Sequence, residues 1–358
     1  MRQTIRFCSS ADGVGLAFGM HGSGPPLVRV ATWLTHLQYD WDSPLWRHWL
    51  DGLGEGRTLV RYDERGSGLS DRDVTRVSLD AWVADLEAVV DAAALERFSL
   101  LGLSNGGAVA IAYAVRHPER VSHLVLCGAF SQGRLRRDPS SKARGEAEAM
   151  LAMIRAGWGR ANPAFRRAFT TLFVPDATHE QMEWFDELQR ISATPETAAL
   201  LRLAREEIDV MDLVGQVATP TLVLHAQDDA AVPFEQGRGI ASAIPDARFV
   251  PLPGRNHILL ADEPAWEVFL RELNAFLPGL PGDGEVGNDL LTAREIEILR
   301  CVAAGSTNEA IAQQLFVSVR TVERHMGNMY RKLGLQGKSG RAAIAARAAT
   351  LIEDHPDR

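Results

Sequence analysis

The chain has 358 residues, 46% of them hydrophobic and 23% charged, a composition long enough for a large core plus a small second domain. No run of 18 apolar residues occurs and "MRQTIRFCSS" lacks an apolar signal segment, so neither a membrane partner nor export is indicated, and a cytoplasmic location is expected. A net charge of −8 excludes wholesale nucleic-acid binding, yet Asp289 to Thr350 holds nine basic against five acidic residues, a small positive module on an acidic protein.

In chain order, apolar runs read as strands at 27–31 ("LVRVA"), 57–62 ("RTLVRY"), 97–103 ("RFSLLGL"), 121–128 ("VSHLVLCG") and 220–226 ("PTLVLHA"), alternating with helical patterns. Runs apolar on both faces imply a mostly parallel sheet covered on both sides. From about 131 to 215 the rhythm is helical without an obvious strand, which predicts an inserted cap. "PGLPGDGEVGN", 278–288, breaks structure with proline and glycine and is expected to be a linker. The expected domains are therefore 1–277 and 289–358. Cys8, Cys127 and Cys301 have neither disulfide nor zinc spacing, so no metal is expected, and no organic cofactor is implied.

"GLSNG", 102–106, places Ser104 between glycines where a strand meets a helix. The pattern serves either a nucleophile elbow or a tight turn. "HAQDDAAVP", 225–233, and "PLPGRNH", 251–257, follow strands as well, so an acid and a histidine lie on loops at the same strand ends as Ser104, the end where open parallel sheets bind ligands. Of four tryptophans clustered in the segment from Trp33 to Trp49, Trp46 and Trp49 have the helical spacing of core residues; Trp33 is the better pocket candidate.

With "YDERGSGLSD" (62–71), residues 1–277 resemble the α/β-hydrolase superfamily, which implies a doubly wound sheet with a helical cap and a Ser, acid, His order. Ser104, Asp229 and His257 fill that order as nucleophile, orienting acid and base; the family's proline spacing, met by Pro233, favours Asp229 over the adjacent Asp228. The resemblance also implies an oxyanion site from the backbones of Trp33 and Asn105. Where the family has His-Gly, however, this chain has "ATWLTH", 31–36. Losing one oxyanion donor costs about 10²- to 10³-fold in rate.

In the last segment, Thr292 with Glu295 and Ser306 with Glu309 read as capping boxes, and Gly305 as a helix stop. Ser318 begins a longer helix whose Val322, Met326, Met329 and Leu333 form an apolar stripe, opposite a polar, mainly basic face that includes Arg320. A small all-α helix-turn-helix is the expected fold. "LTARE", "AAGSTNEAIAQQL", "SVRTVERH" and "NMYRKLG" make 291–335 resemble the LuxR-type (GerE) domain. That resemblance implies base-facing Glu323, Arg324 and Gly327, and phosphate contacts from Thr321, His325, Arg331 and Lys332. It also implies dimerisation through a final helix at 339–352.

Together these features predict a dimeric transcriptional regulator that binds double-stranded DNA and senses a small carbonyl compound, with or without hydrolysing it. The competing reading is a cytoplasmic serine hydrolase of the ester or lactone class tethered to DNA.

Overall fold

The computed structural model describes residues 3–277 and 293–315 together with positions 319, 322, 325 and 326. The chain divides into two compact units, Met1–Asp283 and Gly284–Arg358.

In the first unit eight strands form one sheet: β1 (Thr4–Ser9), β2 (Gly15–Gly22), β3 (Pro26–Arg29), β4 (Thr58–Tyr62), β5 (Phe98–Leu103), β6 (Val121–Cys127), β7 (Thr221–Ala226) and β8 (Arg248–Leu252). Their order is β1-β2-β4-β3-β5-β6-β7-β8. Strands β3 to β8 pair in parallel, whereas β2 runs antiparallel to both β1 and β4. The apolar runs of the sequence correspond to the parallel strands. The antiparallel pair β1–β2 is additional; β1 is largely exposed at the sheet edge and carries no apolar run to announce it.

Helices α1 (Arg47–Gly54), α2 (Leu79–Ala92) and α3 (Gly106–Arg116) connect the first parallel strands. Between β6 and β7 lie six helices: α4 (Arg134–Arg137), α5 (Ser141–Gly157), α6 (Ala164–Phe173), α7 (His179–Ser192), α8 (Pro195–Glu206) and α9 (Met211–Val214). Helices α10 (Phe234–Ala243) and α11 (Pro264–Phe276) complete the unit. Leu100, Leu101, Leu124, Val125, Leu222 and Val223 are fully buried, as strands sandwiched between helical layers require. Local chemistry starts the cap helices: Ser140 and Thr194 cap α5 and α8, Pro195 occupies the first turn of α8, and Thr178 with Gln181 closes a capping box on α7.

Two connections hold the cap against the strand ends. The backbone N–H groups of His257 and Ile258 both donate to the carbonyl of Phe173, the last residue of α6, at 2.9 and 3.2 Å. On α8, the Arg205 guanidinium forms a bidentate pair with the buried carboxylate of Glu64 and lies over the rings of Trp33 and Trp82, at 4.9 and 5.2 Å from their centroids. In the same segment Asp63 Oδ2 accepts from the N–H groups of Leu37 and Leu69, and Arg65 is clamped by Asp85 and Asp12. Asp63, Glu64 and Arg65 of "YDERGSGLSD" thus form a buried polar scaffold, with Glu64 tied to the cap.

Where β5 turns into α3, space admits only glycine. A Cβ on Gly107 would stand 2.4 Å from the Cβ of Ala129, and one on Gly102 would stand 2.7 Å from the Gly107 Cα. Gly107→Ala is therefore expected to destabilise the first unit by about 1–3 kcal/mol through overpacking, read as a lower midpoint of thermal unfolding.

In the second unit α12 (Ala293–Ala303) ends as the sequence suggests, with Gly305 at φ +82°. The Gly305 N–H donates to Val302 and the Ser306 N–H to Cys301, a Schellman closure. Helix α13 (Asn308–Gln314) is capped by Thr307, whose hydroxyl accepts from the Ala310 N–H; the expected cap at Ser306 is displaced by one residue. The two residues compete for one role, and the Schellman closure engages the Ser306 backbone with the preceding helix. Ile311, Val322 and Met326 are buried, and His325 is half-buried. Thr292, Arg320, Thr321, Glu323, Arg324, Gly327, Arg331 and Lys332, the final helix at 339–352 and the linker lie outside the described residues.

Candidate active site

Ser104 is the first of the two residues that turn from β5 into α3, with φ at +50°. Only a few side-chain-bearing residues adopt this left-handed conformation, at a cost on the order of 1–2 kcal/mol. Its N–H donates to the Cys127 carbonyl and its carbonyl accepts from Gly107, so the neighbouring strand and the first turn of α3 hold the strained residue from both sides.

After β7 the chain makes a turn around Asp229. Oδ1 accepts from the N–H groups of Ala231 and Val232, at 2.8 and 2.9 Å, and Oδ2 lies 2.7 Å from His257 Nδ1. Burial raises the pKa of this carboxyl, but the charge and hydrogen bond of His257 and the Val232 N–H outweigh it, holding it below the usual range. An ionised carboxylate only accepts, so Nδ1 carries the proton and the lone pair of Nε2 remains available as a base. Asp228, the neighbouring alternative, is exposed.

His257 follows β8 on a loop fixed by more than the Phe173 carbonyl. The side chain of the preceding Asn256 donates to Glu263 and accepts from the N–H of Asp176, and Arg255 pairs with Asp176. Gly128, at φ +56°, leaves room beneath the imidazole, since a Cβ there would stand 3.0 Å from His257 Cε1. A second imidazole, His225 at the end of β7, has Nε2 3.0 Å from the Val232 carbonyl and 3.5 Å from Asp229 Oδ2. Burial keeps its pKa below the ordinary histidine value, so it remains neutral beside the acid. Neither Gly128 nor His225 was singled out from sequence. A glycine after an apolar run and a histidine inside one carry no distinguishing pattern.

The oxyanion candidates are adjacent, but not both free. The Trp33 N–H donates to the Asn105 side-chain oxygen at 3.2 Å. Asn105 is the N-cap residue of α3, where backbone N–H groups lack intrahelical acceptors. The Asn105 amide must yield before both N–H groups can face one oxygen.

Ser104 opens onto two cavities. One, of about 200 Å³, lies under the cap between Phe130, Met150, Phe169 and the arginines of α4 and α8. The other, of about 30 Å³, is walled by Trp33, Trp46, Trp49, Leu103, Phe173 and His257. Trp33 borders both cavities. Trp46 and Trp49 pack in the core as their spacing suggests, with ring centroids 5.9 Å apart, and also wall the smaller cavity. No group of three potential metal-binding side chains occurs among the described residues.

The pattern of the alpha/beta hydrolase fold matches residues 25–264, and that of bacterial regulatory proteins of the luxR family matches residues 289–345. A protein of Variovorax paradoxus named "Putative carbamate hydrolase RutD" is 32% identical over 66% of this chain and 89% of its own. The 2-hydroxymuconate semialdehyde hydrolase of a Pseudomonas species is 28% identical over 66% of this chain and 78% of its own. Among solved structures, esterase RhEst1 of Rhodococcus superposes with a TM-score of 0.63 at 25% identity, covering 77% of this chain and 99% of that one. By its fold and these similarities, the chain belongs to the α/β-hydrolase fold family and carries a LuxR-type regulatory domain at its C-terminal end.

Proposed function

We propose that the protein is a DNA-binding transcriptional regulator whose α/β-hydrolase domain, 1–277 with its cap at about 131–215, recognises a small carbonyl compound at Ser104 and hydrolyses it slowly. The observation that carries this reading is a strained, accessible serine sharing a cavity with a histidine whose Nδ1 is held by an ionised carboxylate. In this scheme His257 removes the Ser104 proton as the hydroxyl attacks the carbonyl, Asp229 stabilises the imidazolium, and the N–H groups of Asn105 and Trp33 receive the oxyanion.

The luxR-family match supports DNA as partner and transcriptional control as role, and DNA as partner supports a cytoplasmic location. A linker at 278–288 joins the domains, and residues 289–358 act as a homodimer on double-stranded DNA. The base-facing and phosphate-facing residues are those assigned from the sequence, Arg324 and Lys332 foremost.

The engaged Trp33 N–H favours a second reading, a pocket that binds its ligand without turnover. An active-serine fluorophosphonate probe separates the two. Labelling of the wild type that is lost in both Ser104→Ala and His257→Ala supports hydrolysis, whereas a folded, unlabelled wild type supports binding alone. Labelling that persists in Ser104→Ala overturns the site. The regulatory half is tested by salt-dependent binding of the full chain to DNA, which Lys332→Ala should weaken on all sequences alike and Arg324→Ala mainly on the preferred one.

A further inference from the structure

The larger cavity beside Ser104 has one charge too many. Four guanidinium groups line it, Arg134 and Arg137 from α4 and Arg202 and Arg205 from α8, against the single carboxylate of Glu206. Their pairings account for three. Arg205 is neutralised by Glu64 behind it, Arg202 by Glu206 at 2.6 Å, and Arg134 by the exposed Glu146 at 3.4 Å with Glu206 at 3.5 Å. Among the described residues, Arg137 has no carboxylate within ion-pair distance, though the charges of Glu206 and Asp138 lie near, and it donates to the Gln132 carbonyl at 3.2 Å. Beside it, Arg134 Nη2 is buried without a hydrogen-bond partner.

A buried donor left without an acceptor destabilises the site, more so when it belongs to a charged group. A guanidinium is also a rigid fork that matches carboxylate oxygens. Phe130, Met150, Phe169 and Leu172 line the rest of the cavity and suit a hydrocarbon spacer. The smaller cavity, where His257 stands, offers much less space than the larger one, about 30 against 200 Å³. It therefore suits the smaller of a ligand's two ends.

We propose that the ligand of this site is an ester whose acyl chain ends in a carboxylate bound by Arg137 and Arg134, with a small alkoxy group directed into the smaller cavity. This deepens the hydrolase reading and rests on it for the chemical step. Ser104 Oγ bonds to the ester carbon while its proton passes to His257; the carbon–alkoxy bond then breaks and His257 protonates the departing alkoxide, giving the alcohol. Water takes the vacated place, loses a proton to His257 and bonds to the acyl carbon. The carbon–Oγ bond breaks, the proton returns from His257 to Ser104, and the freed carboxylic acid leaves and gives its own proton to solvent, becoming a dicarboxylate. One surplus guanidinium matches a singly charged carboxylate better than a phosphate, which carries about −1.5 to −2 at neutral pH.

The test uses the full-length Ser104→Ala protein, so that nothing is consumed, and calorimetric titration with monomethyl adipate, dimethyl adipate and the methyl ester of a phosphono acid of equal length. The hemi-ester is expected to bind at least about tenfold more tightly than the diester. Arg137→Gln should reduce that ratio to about one, and Arg137→Lys should retain part of it. Equal or tighter binding of the diester, or a ratio that survives in Arg137→Gln, would overturn the proposal. Tighter binding of the phosphono ester would overturn the choice of carboxylate. Fluorophosphonate labelling of the wild type, run in parallel, reports the hydrolase reading separately: a labelled protein without the ratio loses only the carboxylate assignment, and an unlabelled protein with the ratio loses only turnover.

Discussion

Ester hydrolysis should fall by about 10⁶-fold in kcat when Ser104 becomes alanine, and by about 10⁴-fold when Asp229 becomes asparagine. The difference follows from what each residue holds. Without Oγ there is no nucleophile. With asparagine, an amide N–H can face His257 Nδ1, which becomes the acceptor, and the imidazole proton moves to Nε2, the atom that must take the serine proton. Binding should be largely retained in the asparagine protein, so the loss is expected in kcat rather than KM. The measurement is steady-state hydrolysis of a methyl ester by wild type and both variants, after near-ultraviolet dichroism has verified folding. A Ser104→Ala protein as active as the wild type would remove the assignment.

The largest expected change in stability comes from Glu64→Gln. Burial pushes the Glu64 carboxyl above its usual range, and the neighbouring Arg205 charge opposes this. Removing one charge strands a guanidinium between two indole rings, with its side chain only 6% exposed. Breaking such a buried pair costs about 3–5 kcal/mol. A lower denaturant midpoint with an unchanged slope is the expected signature. Glu64→Gln combined with Arg205→Met should recover part of the loss, since the low-polarity gap is then filled without an unpaired charge. A Glu64→Gln protein as stable as wild type would show that water reaches the guanidinium.

The parallel strands and the helical insertion were legible because burial on both faces leaves long apolar runs, and because a strand-free stretch of some eighty residues has no other place in such a sheet. The tight turn at Ser104 was legible because glycines flank it in sequence, although the contacts that require two of them, Gly106 and Gly107, come from the distant Ala31 and Ala129. The acid and base could be found from their loops, since β7 and β8 deliver both to the strand ends where Ser104 stands. The arginines of α4 and α8 were not legible. Arg134 with Arg137 and Arg202 with Arg205 form two pairs far apart in sequence, and each resembles any solvated helix face until the cap folds over the sheet. The engagement of the Trp33 N–H was hidden for a similar reason, because an asparagine side chain beside a nucleophile has no local pattern that fixes its acceptor. The one-residue error at the Ser306–Thr307 cap is of a different kind: two hydroxyl residues in a row are equally good caps, and only the preceding helix decides between them.

The carbonyl of Phe173 receives two backbone N–H groups from the very loop that carries His257. A helix of the cap and the base of the proposed triad are thus parts of one mechanical element. If α6 lifts, that carbonyl moves with it and the His257 loop loses one of its anchors, while Asn256 and Asp229 still hold it. Proton abstraction by His257 would then be best supported with the cap seated. Under the proposed reading, a ligand too bulky to let the cap seat would stay in the cavity unprocessed, whereas a well-fitting one would be turned over. Were the regulatory domain to respond to occupancy, the same pocket would give a lasting signal with one compound and a self-erasing signal with another.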